Sequence, residues 1–103
     1  MRLYNYVMNK EEFLIYCLLY AVDAAGVKKQ NLVQMSLKVD TVSFVKIYNL
    51  IQQHDEATRK NIIATCKKDF NKNELIEGIK NTFLMELETS IQESVVEVLN
   101  CEL

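Results

Sequence analysis

The chain has no proline and no tryptophan, and it carries only two glycines, Gly26 and Gly78. β-Hairpins and sandwiches repeatedly need tight turns with positive φ, which glycine adopts without steric cost. A chain this poor in glycine is therefore expected to be all-α. The same scarcity excludes the glycine-rich phosphate loops, because neither GxGxxG nor GxxxxGK[ST] can be written with glycines 52 positions apart. Histidine occurs once, at His54, and no CxxC or HExxH spacing occurs, so a zinc centre of the usual donor set is not encoded. Cys17, Cys66 and Cys101 are odd in number and widely spaced. With no secretory n-region and cleavage site, they imply a reducing cytoplasm and no disulfides. Long apolar runs are lacking too. The longest, Phe13 to Val22, has ten residues, about half of what a bilayer-spanning helix needs, so no membrane insertion is expected.

What is present suits one domain spanning residues 1–103. Half the residues are apolar and a quarter are charged, which is ordinary globular usage. Twelve basic and fourteen acidic side chains give a net charge of −2, so no global field attracts nucleic acid. The charge is uneven along the chain. Residues 1–73 hold eleven basic and seven acidic side chains, whereas residues 74–103 hold one basic, Lys80, and seven acidic.

Hydrophobic spacing and capping residues mark about six helices. Residues 1–8 alternate loosely and read as an extended or short helical lead-in. Asn9 with Glu12 writes a capping box for a first helix that runs to Gly26, the residue suited to a left-handed helix end. This helix is apolar nearly all round and so belongs at the centre of a bundle. A short second helix follows Lys28 and Lys29, with Leu32, Val33, Met35 or Ser36, and Leu37 as its inward stripe. Asp40 or Thr41 caps a third, with Phe44, Val45, Ile47, Tyr48 and Ile51 inward. Asp55 caps a fourth, with Ile62, Ile63, Cys66 and Phe70 on one face. Asn73 is expected to cap a fifth, which carries Gly78 against a neighbouring backbone, and a Ser90–Glu93 box to open a sixth. A long helix, a polar turn and a shorter helix at residues 10–37 and 74–100 suggest two pseudo-repeated helix-turn-helix units.

Little chemistry accompanies this scaffold. His54 has no serine or cysteine at motif distance and reads as a surface or capping residue. Cys17 and Cys66 fall on apolar faces, where a thiol is a small core residue. No catalytic residue is assigned. Tyr16 and Tyr20 lie four apart on one ridge of the first helix and are candidate interface residues, tyrosine being enriched at interfaces.

The segments FLIYCLLYAVDAAGVKKQNLVQM, FVKIYNLIQQHD and ELIEGIKNTFLMELETSIQESVVEVL together resemble the TerB-like domains of the tellurite-resistance group. In that family an apolar long helix precedes an acidic-glycine turn and a second helix opening with glutamate, and the arrangement recurs near the C-terminus. Here the first turn is Asp23-Ala24-Ala25-Gly26, with Gln30 or Asn31 where the family has glutamate; in the second, Glu88 holds the acidic position, Thr89 replaces glycine and glutamate is displaced to Glu93. The resemblance implies a cytoplasmic module of stress or toxic-anion response, acting through protein partners. It also implies a divalent cation such as calcium, magnesium or manganese, held by Asp23, Glu88 and Glu93 at the turns. Lys28 or Lys29 is the expected cationic partner of Asp23 if no metal binds there. The expectation is a non-enzymatic, TerB-like binding module. The alternative is a metal-free module for binding another protein or a second copy of itself, through the tyrosine ridge or an apolar face of the sixth helix.

Overall fold

The computed structural model describes residues 8–103, so the expected lead-in falls outside the described residues except for Met8. Six α-helices, and no strand, occur among them: α1 (Lys10–Ala24), α2 (Lys29–Ser36), α3 (Thr41–Gln52), α4 (Glu56–Cys66), α5 (Lys72–Ile79) and α6 (Thr89–Glu102). A single 3-10 turn, Lys67–Asp69, follows α4, and a π-helical stretch, Lys80–Leu84, prolongs α5. The all-α bundle of about six helices is what the sequence leads one to expect.

α1 begins where its capping box requires. Asn9 Oδ1 accepts from the Glu12 backbone N–H at 2.8 Å, and Glu12 Oε1 accepts from the Asn9 N–H at 3.1 Å, so two donors at the helix end are satisfied reciprocally. Nine of the next ten residues are core: Phe13 and Ile15 through Val22 are buried, and only Leu14 between them is partly exposed. A helix buried on every side must be covered from several directions, and α3, α4, α5 and α6 all pack on it. The chain leaves α1 through Gly26 at φ 71°, the one positive-φ residue among those described.

The other ends show how far local pattern decides. Asp40 and Asp55 cap α3 and α4, accepting from the Ser43 and Thr58 N–H groups at 3.1 and 2.8 Å. For α5 the cap is Asn71, not the expected Asn73: its side chain accepts from the Glu74 N–H at 3.1 Å, which places Lys72 and Asn73 within the first turn. The expected Ser90–Glu93 box does not form either. α6 starts earlier, at Thr89, and its N-cap Glu88 makes no side-chain capping bond. Gln92 instead donates through Nε2 to the Leu87 carbonyl at 2.8 Å, fixing the turn from inside the helix. At the other end, Lys67 and Lys72 donate to the Glu102 and Asn100 carbonyls, bringing cations from neighbouring segments to a helix end that has none of its own. The two units therefore do not repeat in length. A long helix precedes a short one in the first, whereas the eight-residue α5 precedes the fourteen-residue α6 in the second.

Gly78 faces a side chain where a backbone was expected: a methyl group added there would meet the Leu14 methyls at 3.4 Å, which is ordinary contact. Gly78→Ala is thus expected to gain up to about 1 kcal/mol from helix propensity. Gly26→Ala has open space but a strained φ, and is expected to lose about 1 kcal/mol. Urea denaturation of the two variants checks the opposite signs.

Candidate functional site

The polar groups that α1 carries inward are two tyrosine hydroxyls. Tyr16 is fully buried and Tyr20 is 5 % exposed, so the ridge expected at an interface is instead part of the core. The cause is α1 itself: covered on all sides, it has no free edge to present. Each hydroxyl finds a partner at the corner between α3 and α4. Tyr16 Oη and His54 Nδ1 are hydrogen-bonded at 2.9 Å, and Tyr20 Oη donates to Glu56 Oε1 at 3.1 Å. Burial, the Glu56 hydrogen bond and the charges of Glu102 and Glu56 push the Tyr20 phenol up to about 12, so it remains a neutral donor. Partial burial, with Arg59 nearby, lowers the pKa of His54. The histidine that reads as a surface residue is therefore half-buried and tied to the core, a role that sequence spacing over 38 positions cannot reveal.

Asp23 lies in the last turn of α1, where the helix dipole disfavours an acid. Its partner is Arg59 of α4, with Nη1 to Oδ2 at 3.1 Å, and neither Lys28 nor Lys29 takes that place. The same guanidinium donates through Nε to the Ile51 carbonyl at 3.1 Å, so one side chain, 14 % exposed, joins the C-terminal ends of α1 and α3 to α4. Glu88 is elsewhere. It lines a cleft of about 350 Å³ in which the turn from Ala25 to Lys28 faces the start of α6. Glu93 stands on the exposed face of α6, near Lys80 and Val96. The two turns thus approach each other, yet the three acids expected to share a cation occupy three separate surfaces. Among the described residues no group of three His, Cys, Asp or Glu side chains is placed to hold a metal ion. A calcium ion wants six to eight oxygens, and Asp23 is already committed to Arg59.

The cysteines follow their positions. Burial drives the Cys17 thiol far up, and burial with nearby Asp69 raises that of Cys66, which is opposite to what a nucleophile needs.

The unexpected feature is α2. Of its expected inward stripe only Met35 is buried, while Val33 is 63 % and Leu37 77 % exposed. Val42 and Val45 of α3 are also exposed, at 74 % and 49 %. α3 points Phe44, Ile47 and Ile51 at α1, and an eight-residue α2 is too short to cover its other flank. A groove of about 300 Å³ remains between them, lined by Leu32, Val33, Phe44, Val45 and Tyr48, with Lys29 and Ser36 at its margin. The sequence contained the signal, since the second and third helices each had more apolar positions than one inward face needs; what it lacked was the direction of each helix.

Comparison with protein-family models, with curated proteins and with solved structures finds no match to this chain.

The Tyr16–His54 pair makes stability depend on pH. A pKa lowered in the folded chain means that the unfolded chain binds the proton more readily, so the contribution is complete above pH about 6.5 and is lost as pH falls through the folded value. Urea unfolding should give lower stability at pH 5.5 than at pH 7.5, and His54→Gln should flatten that difference. The carboxylates lowered by hydrogen bonds, Glu12 and Asp55, act only below about pH 4.5 and leave this window clear.

Proposed function

We propose that this chain is a non-enzymatic, TerB-like helical binding module that works through another protein surface, with the apolar flank of α2 and α3 as its contact. The observation that carries this reading is the set of four large aliphatic side chains, Val33, Leu37, Val42 and Val45, left in solvent on two consecutive helices and the corner joining them. Scattered apolar residues are normal on a surface, but two of these four, Val33 and Val45, line an apolar groove, and such a groove is a usual mark of an interaction site. The His54 imidazole tied to Tyr16, the raised thiols and the Arg59-paired Asp23 all fit a scaffold better than a reaction centre. A place in stress or toxic-anion response, in the cytoplasm, rests on the TerB resemblance of the three quoted segments.

A cation at the turns is the second reading; of its three acids only Glu88 lines the cleft facing the Ala25–Lys28 turn, with Lys28 beside it. The two readings part in a melting experiment. A native-state ligand stabilises by RT ln(1 + [L]/Kd), so a site of about 10 μM raises the midpoint measurably at about 1 mM ion. The chelator-treated protein is expected to melt at the same temperature with and without calcium, magnesium or manganese; a rise abolished by Glu88→Gln would replace the metal-free reading with the cation one.

The contact surface has its own test. A photo-crosslinking benzoylphenylalanine in place of Val45 should give an adduct of discrete mass in the expressing cell, and none when it replaces Lys60 on the far side of the bundle. Absence of an adduct at position 45 would overturn the reading.

A further inference from the structure

We propose that the groove between α2 and α3 receives the outer face of α6 from a second copy of this chain, giving head-to-tail self-association. The inference rests on the binding-module reading above and names its partner. The groove supplies an apolar floor, and its one charged margin is cationic: no acid lines it. Lys28 and Lys29 stand at the N-cap and first position of α2, a helix with no acid in its first turn, where the helix dipole disfavours positive charge. No carboxylate pairs with either lysine among the described residues. A carboxylate arriving at the groove would relieve both the dipole and Lys29, the lysine that lines it.

α6 offers the matching surface. Gln92, Glu93, Val96, Glu97 and Asn100 follow helical spacing along one broad, open hollow that Lys80 also lines, with half-buried Val96 between two exposed acids. Glu93 and Glu97 pair with no cation among the described residues, and the nearest lysine, Lys80, is held by Glu77 at 3.6 Å. A valine flanked by acids, presented on a rigid helix, is the chemistry an apolar groove with a lysine rim accepts. The opposite charges of residues 1–73 and 74–103 find their use in this contact.

The groove and the acidic face share no lining residue, so one copy presents them as two distinct surfaces. Joining them between copies leaves one groove and one α6 face free. Such a contact is heterologous and continues into chains or closes into a ring, whereas a two-fold dimer would stop at two.

Sedimentation of the purified chain at low and high salt tests this. At about 20 mM salt the mass should rise with concentration beyond that of a dimer, and at about 500 mM the association should weaken, since charges at an open rim are screened. Lys29→Glu, which places an acid where α2 favours one, and Glu93→Lys with Glu97→Lys should each remain monomeric at about tenfold higher concentration than the wild type. Mixing the two variants should restore association, because each then offers the surface the other lacks. Unchanged melting temperatures would show that both variants fold. A wild type monomeric at about 1 mM in low salt would overturn the proposal. So would an association that stops at two, or one indifferent to both charge reversals. If position 45 crosslinks to a different protein while the purified chain stays monomeric, the binding-module reading stands and self-association falls.

Discussion

The structure depends on the burial of the middle of α1, from Phe13 to Val22. A helix that is apolar on all sides is unstable at a surface and must be wrapped, and the wrapping determines where every other element goes. α3, α4, α5 and α6 all pack on it, and nine of the ten residues from Phe13 to Val22 become the centre of the core. Because α1 is buried from Ile15 to Val22, the hydroxyls it carries there must be satisfied by other elements, and exposed Asp23 at its end gains a cationic partner as well. Tyr16 and Tyr20 meet His54 and Glu56, and Asp23 meets Arg59. All three partners come from the stretch 54–59, so the corner between α3 and α4 is fixed against the polar ridge of α1 and not by its own turn chemistry alone. Net contributions of such hydrogen bonds are about 1 kcal/mol each, modest beside the apolar burial, but leaving a buried hydroxyl unpaired costs more than the bond gains. Their effect is therefore chiefly to select one arrangement of α4 over its neighbours.

How much of this is legible in the sequence follows the range of the interaction. Helix class, number and centre are carried by glycine and proline scarcity and by an apolar run with a capping box at its start, all readable within a few residues. Asn9, Asp40 and Asp55 cap as their local patterns say. Where two patterns compete locally, their spacing does not decide between them. Asn71 caps α5 in place of Asn73, and Thr89 opens α6 ahead of Ser90 with Gln92 of the same helix donating back to the Leu87 carbonyl. Contacts between distant residues are not legible at all. Nothing in the neighbourhood of Asp23 distinguishes Arg59 from the closer Lys28 and Lys29, and the tyrosines of α1 looked like a free ridge because their partners lie more than thirty positions away.

The same limit explains why the candidate site moved. Acidic turns and tyrosines are conspicuous as residue types, whereas an exposed valine is conspicuous only once the faces of its helix are known. Eight residues of α2 span about 12 Å, against about 18 Å for the twelve of α3. The shorter helix shares no extensive contact with the longer one, and Phe44, Val45 and Tyr48 line the open groove between them. The apolar surface thus lies between consecutive helices of unequal length, and α2 itself, with one buried side chain, contributes little to the core. A helix so lightly committed to folding is free to be shaped by what it contacts. That its N-terminal end holds two lysines against its own dipole, at a cost to its stability, is difficult to explain by the isolated fold and is readily explained if a carboxylate arrives from outside.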